Sequence, residues 1–211
     1  MTEMKRREFL AFAGVGLASG LAGCVSVDLA RDKVFTSAYG PINDGGFALP
    51  AIPTDKIDRK FHRQIVSYDS REKPGTIIVD TTAKHLYFVN GDGTAMRYGI
   101  GVGREGFEWQ GTARIAMKRE WPVWTPPAEM IKRKPELEKW RQGMPPGIDN
   151  PLGARAMYLF NKGGDSGYRL HGTPEWSSIG KAMSSGCIRL INQDVIDLYS
   201  RASIGARVLV A

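Results

Sequence analysis

The chain has 211 residues, of which 42% are hydrophobic and 24% charged, and a formal net charge of +7. That length supports one domain with a sizeable core and is short for two. The composition, without internal repeat or low-complexity tract, excludes a disordered chain, a collagen-like array and a solenoid.

In chain order, Lys5, Arg6 and Arg7 precede 14 uncharged residues, Phe9 to Ala22. A membrane-spanning helix needs about 18 or more, so residues 1–23 read as an export signal outside the fold. Arg6-Arg7-Glu8-Phe9-Leu10 resembles a twin-arginine signal, and Leu21-Ala22-Gly23-Cys24 resembles a bacterial lipobox. The expectation is an exported, periplasmic lipoprotein held at a membrane by a lipid on Cys24. Residues 1–23 carry only three basic and two acidic side chains, so the remainder stays basic. An exported basic domain meets anionic wall polymers and lipid headgroups, and no nucleic-acid partner is expected. With Cys24 committed to lipid, Cys187 has no cysteine to pair with in the chain. A lone thiol in an oxidising compartment is either buried and inert or kept for its reactivity.

Residues 24–71 are punctuated by Gly40-Pro41, Gly45-Gly46, Pro50 and Pro53 and show no sustained period. They are expected to form a tether or N-terminal extension. From residue 72 to 211 the pattern is that of one mainly β domain, opening with Thr76 to Asp80 and Leu86 to Val89 around a polar turn. Further strands are expected at 95–102, 111–118, 156–160, 168–171, 187–190 and 207–210. Trp121 to Pro127, with three prolines, reads as an extended loop. A short helix is expected from Pro135 through Trp140 to about Gly143. A better one follows Asn192 as N-cap, with Val195, Leu198, Tyr199 and Ala202 on one face and Gly205 at its end. The basic run Lys132-Arg133-Lys134, with Lys139 and Arg141, is interrupted by Glu136 and Glu138 and reads as a solvated helix face.

Gly101-Val102-Gly103-Arg104-Glu105-Gly106 satisfies a dinucleotide fingerprint after a candidate strand. The fingerprint needs a helix to start at the glycines. Phe107 onward leads instead to Gly111-Thr112-Ala113-Arg114-Ile115, another strand, so the run reads as a turn.

Chemistry concentrates in His171-Gly172-Thr173 and Ser184-Ser185-Gly186-Cys187-Ile188-Arg189-Leu190. A free thiol is mostly protonated at neutral pH, so a nucleophilic cysteine wants an imidazole nearby. His171 is the nearest histidine in sequence, since His62 and His85 lie in the extension and the first hairpin. Small residues before Cys187 let the backbone aim N–H groups at a developing oxyanion, which makes the Gly186 and Cys187 amides candidate donors. Arg189, two residues after Cys187 on a strand, shares its face and suits a substrate carboxylate. Spacing alone leaves open an inert core pair. No metal site and no cofactor are expected from three scattered histidines and one thiol.

The order His-Gly-Thr, Ser-Ser-Gly-Cys-Ile-Arg-Leu, then Asn192, Asp194 and Leu198-Tyr199 resembles the catalytic segment of the L,D-transpeptidase family, whose domain is called YkuD. Pro74-Gly75-Thr76-Ile77 with Val79-Asp80 and Leu86-Tyr87, Gly101-Val102-Gly103, Trp121 to Pro127, and Asn150-Pro151-Leu152-Gly153 extend the resemblance over about residues 72 to 211. It implies a β-sandwich-like domain with the cysteine in a covered groove. It further implies that Cys187 attacks a peptidoglycan tetrapeptide stem between meso-diaminopimelate and D-Ala, releases D-Ala, and holds an acyl-enzyme thioester. His171 would be base and then acid, oriented by a backbone carbonyl that maps to Gly172. An acceptor stem's amine would complete a 3–3 cross-link. Many members carry Ser-His-Gly-Cys, and here Ser185 stands where that second histidine falls, which bears on thiolate tuning and acceptor choice. Water as acceptor gives an L,D-carboxypeptidase or cross-link hydrolase, and an envelope protein as acceptor gives wall attachment. A lipoprotein that only binds peptidoglycan is the non-enzymatic alternative.

Overall fold

The computed structural model describes residues 38–104 and 109–211. The export signal, the lipobox and Cys24 lie outside the described residues, as do Glu105 and Gly106 of the glycine run.

A hairpin of β1 (Ile42–Asp44) and β2 (Phe47–Leu49) comes first, then two single 3-10 turns and β3 (Gln64–Ser67). An antiparallel meander follows: β4 (Ile77–Asp80), β5 (His85–Val89) and β6 (Thr94–Gly99), with a two-residue β7 (Val102–Gly103). After β8 (Gly111–Glu120) the chain makes an excursion through α1 (Ala128–Arg133) and a 3-10 helix at Pro135–Trp140. It returns in β9 (Arg155–Asn161), β10 (Gly164–Thr173), β11 (Ala182–Ser184) and β12 (Ile188–Ile191). The last elements are α2 (Asn192–Arg201) and β13 (Arg207–Val210).

Nine strands form one mixed sheet in the order β12-β10-β9-β8-β13-β4-β5-β6-β3. The β10–β12 and β4–β13 pairs are parallel and the other pairs antiparallel. Just beyond β6, the Gly101 N–H donates to the Arg189 carbonyl at 2.9 Å, and Arg189 N–H returns a bond at 2.8 Å. The sheet therefore curls until β6 meets β12. A Cβ on Gly101 would sit 2.8 Å from the Ser178 carbonyl oxygen, so this closure needs glycine.

The mainly β reading holds, and period-2 alternation explains why. Ile77, Val79, Leu86, Tyr98, Ile115, Met157, Leu159, Leu170, Leu190 and Val208 are fully buried and face one interior. Val195, Leu198 and Ala202 pack into the same cluster, and this amphipathic face holds α2 against the sheet.

Three differences from the sequence reading have physical causes. Residues 38–71, expected as a tether or N-terminal extension, carry regular structure and pack on the domain: β3 extends the main sheet, and Leu49 packs in a cluster with Trp121 and Ala154. The strands there are too short for alternation to show. α1 follows directly on the proline loop, with Pro127 as its N-cap, a start that the prolines disguise. Asn192 is the first residue of α2 and caps nothing; Ile191 is the N-cap, and the Asn192 Oδ1 instead accepts from the Ala154 N–H at 2.9 Å.

The N-terminal segment is tied to α2 through a buried carboxyl. Tyr39 Oη donates to Asp194 Oδ2 at 2.8 Å, and Arg63 Nε lies 3.6 Å from Oδ1. Burial pushes the Asp194 carboxyl up to about 7 against the pull of Arg63 and Tyr39. A folded pKa above the unfolded value of about 4 contributes stability at acid pH that is lost as pH rises through about 7. Urea unfolding of Asp194→Asn against wild type from pH 4 to pH 8 should therefore shift progressively in favour of the variant. A pH-independent difference would contradict this linkage.

Candidate active site

β10 and β12 build the site. Their parallel register pairs Leu170 with Ile188, His171 with Arg189 and Gly172 with Leu190. Leu170, Ile188 and Leu190 point into the core. Alternation then puts His171 and Arg189 on the opposite face, and stepping the register back one residue sets Cys187 beside Arg169. Four side chains, Arg169, His171, Cys187 and Arg189, thus share one face of two strands.

The turn into Cys187 is held by Ser184. Its hydroxyl donates to the Cys187 carbonyl at 2.6 Å and accepts from the Gly186 N–H at 3.2 Å. Gly186 has φ +110°, a conformation that favours glycine. Behind the turn, β11 pairs with β7, and the Arg104 N–H donates to the Ser184 carbonyl at 3.0 Å. The Gly101-Val102-Gly103 run is therefore a brace for the turn into Cys187. Among the described residues no helix begins at these glycines, and the next element is the strand β8 from Gly111.

His171 is buried, and its Nδ1 lies 2.6 Å from the Gly172 carbonyl oxygen. A carbonyl only accepts, so Nδ1 carries the proton and Nε2 is the basic nitrogen. Gly172 is required for this: a Cβ there would meet Asn192 Oδ1 at 2.2 Å and the Ala154 N at 3.1 Å. Burial lowers the His171 pKa to about 4, helped by Arg189 and Arg169 and opposed by the Gly172 and Pro151 carbonyls. Burial likewise pushes the half-buried Cys187 thiol up, while the Arg169 main-chain N–H and the Arg169 and Arg189 guanidiniums pull it down. Both shifts favour the uncharged forms, a thiol and a neutral imidazole.

The expected site residues separate as follows. Cys187, His171, Gly172 and Arg189 fall together, with Arg189 also paired to Glu175 at 2.8 Å. Ser185 is exposed at the turn. Gly186 sits in the same turn, and its N–H donates to Ser184 Oγ. Sequence reasoning quoted Ser184 without a role and missed Arg169, whose place next to Cys187 follows only from the cross-strand register. It also missed Asn150, which is fully buried and whose Nδ2 donates to the carbonyls of Pro122, Met144 and Pro145 at 2.9–3.3 Å. That side chain ties down both ends of the 121–150 excursion next to Pro151 and His171.

A curled mainly β domain with a histidine on one strand and a cysteine at the entry to the neighbouring parallel strand defines a class of domain before any comparison. The family model for the L,D-transpeptidase catalytic domain (YkuD) matches residues 74–210, and the chain belongs to that family. A Fuscovulum blasticum protein, whose name assigns it provisionally to the L,D-transpeptidases in the ATP synthase subunits region, is 34% identical over 77% of this chain and 83% of its own length. "Probable L,D-transpeptidase YbiS" of Escherichia coli K12 is 32% identical over 64% of this chain, which spans 43% of that longer protein. Among solved structures, a Brucella melitensis chain described as a probable carnitine operon oxidoreductase is 48% identical, with a TM-score of 0.51 over 73% of this chain and 96% of that one. Its title speaks for that chain only.

Proposed function

We propose that this L,D-transpeptidase works by cysteine acyl transfer on peptidoglycan stem peptides. The observation that carries the reading is the placement of His171, its Nδ1 committed to the Gly172 carbonyl, on the strand that runs parallel to the one entered from Cys187. The neutral Nε2 takes the thiol proton as sulfur attacks the carbonyl between meso-diaminopimelate and D-Ala. The oxyanion develops near the Cys187 N–H. Collapse expels D-Ala, whose amine takes the proton back from His171, and leaves a thioester on Cys187. An acceptor amine then attacks the thioester, giving a 3–3 cross-link and restoring the thiol. Arg189 is suited to a stem carboxylate by exchange with Glu175, which is itself exposed. A lipid on Cys24 would hold the domain at a periplasmic membrane surface, within reach of the wall.

Mass spectrometry of muropeptides tests this. Incubation with tetrapeptide-rich peptidoglycan should yield 3–3 dimers, absent with Cys187→Ala. Tripeptides alone would assign water as acceptor, and loss of neither product in the variant would remove Cys187 from the chemistry. Palmitate incorporation abolished by Cys24→Ala tests the anchor.

A further inference from the structure

Between Asp165 and Arg169 the β10 strand bulges. Asp165 pairs with Phe160 and Arg169 with Tyr158, so four steps along β10 cover two along β9. Gly167 at φ +79° permits the detour, and Ser166 Oγ pins it by donating to the Leu159 carbonyl at 2.5 Å. Bulges of this kind re-aim side chains beside active sites. Here the bulge turns the Gly167 carbonyl toward Cys187, whose Sγ lies 3.9 Å away. It also folds Asp165 back on Arg169. Both guanidinium Nη atoms donate to the carboxylate, at 2.7 and 2.8 Å, and the guanidinium lies over the Tyr158 ring, 4.3 Å from its centroid.

We propose that Arg169 is a positioning residue that governs how readily Cys187 ionises, and that Asp165, clamped to it across the bulge, restrains that effect. The proposal rests on the reading of Cys187 as nucleophile. A guanidinium next to a sulfur favours the thiolate, and a carboxylate disfavours it. The charged groups that bear on the sulfur are Arg169 and Asp165 on β10 and Arg189 on β12, and the titratable His171 stands between the two arginines, opposite Arg189 in the strand register. Arg189 is itself partly neutralised by Glu175. With the imidazole neutral at rest, the two arginines are the cations that offset burial. Arg169 adds a main-chain N–H directed at the sulfur, so substituting its side chain isolates the charge alone.

The test is the pH dependence of iodoacetamide alkylation at Cys187 in the full chain, read by peptide mapping so that Cys24 does not interfere. Arg169→Gln should raise the pH midpoint and slow alkylation at pH 7 by roughly three- to tenfold. Asp165→Asn should lower the midpoint and accelerate alkylation, and Arg169→Lys should stay nearer to wild type than Arg169→Gln. Asp165 is half-exposed, so its variant keeps the fold. Opposite signs for the two variants support the proposal, because a merely structural loss would not reverse direction. Shifts of the same sign, or none in either variant, overturn it. Such a failure with normal cross-linking removes the Arg169 role alone. Opposite shifts in a protein that forms no acyl-enzyme with tetrapeptide stems would instead remove the nucleophile reading.

Discussion

His171→Gln is expected to lower kcat/KM for stem transfer by roughly 10²- to 10⁴-fold, the usual contribution of a positioned general base. Glutamine can still offer an amide N–H to the Gly172 carbonyl that Nδ1 now engages at 2.6 Å. The loss therefore reports proton transfer more than packing. The wild-type pH profile carries the sharper prediction. kcat/KM reports groups of the free enzyme, and burial holds the imidazole pKa near 4. The base is neutral above that value, so activity should fall on the acid side only as pH drops through about 4, and this limb should vanish in His171→Gln. Initial rates between pH 3.5 and 8 measure it. An acid limb near 6 to 7 would mean that the imidazole keeps its ordinary pKa and that burial does not depress it.

Asp44→Ala should be the most destabilising single substitution outside the apolar core. Asp44 accepts from both Nη atoms of Arg155 at 2.7 and 2.8 Å and from Trp121 Nε1 at 2.7 Å. The Arg155 side chain is only 7% exposed. Removing the carboxylate leaves a buried guanidinium and an indole N–H without their acceptor, a loss of about 3 to 5 kcal/mol. Glu120, 3.7 Å from Arg155, is exposed and recovers little. For a domain of this size the melting temperature should fall by roughly 6 to 20 °C. The pair also has a pH signature: hydrogen bonds from Arg155 hold the Asp44 carboxyl below its usual range. Its contribution is present above a pH of about 4 and is lost as pH falls through the lower folded value. The gap between wild type and variant should thus close in acid, as thermal melts from pH 7 down to pH 3 would record. A drop under about 1 kcal/mol would show that the hairpin does not depend on this pair.

The same pair shows why part of the fold was legible and part was not. Ile77 to Asp80 and Arg207 to Val210 announce themselves because a residue's burial in them follows its own parity along the strand. The order of residues 38–71 comes from partners far away in sequence, such as Asp44 with Arg155 and Tyr39 with Asp194, and no local period encodes that. The active-site face divides likewise. Cys187, His171 and Arg189 were readable from residue type and two-residue spacing. Arg169 and Asp165 were not, because their relation to the sulfur depends on a cross-strand register and on extra residues in a bulge. Ser184 was hidden by its neighbour: of two adjacent serines, the buried one shapes the turn and the exposed Ser185 does not.

The place of β13 bears on how the domain comes into being during synthesis. This strand, the final element along the chain, lies mid-sheet between β8 and β4, with Val208 opposite Ile77 across more than half the sequence. A growing polypeptide that has just emerged with its first meander therefore holds β4 with one unpaired edge, and it must keep that edge open until residues 207–210 arrive. Topology of this kind favours slow, all-at-once closure over stepwise folding from the N-terminus. The face that carries Cys187 and His171 is thereby not assembled on a half-made chain.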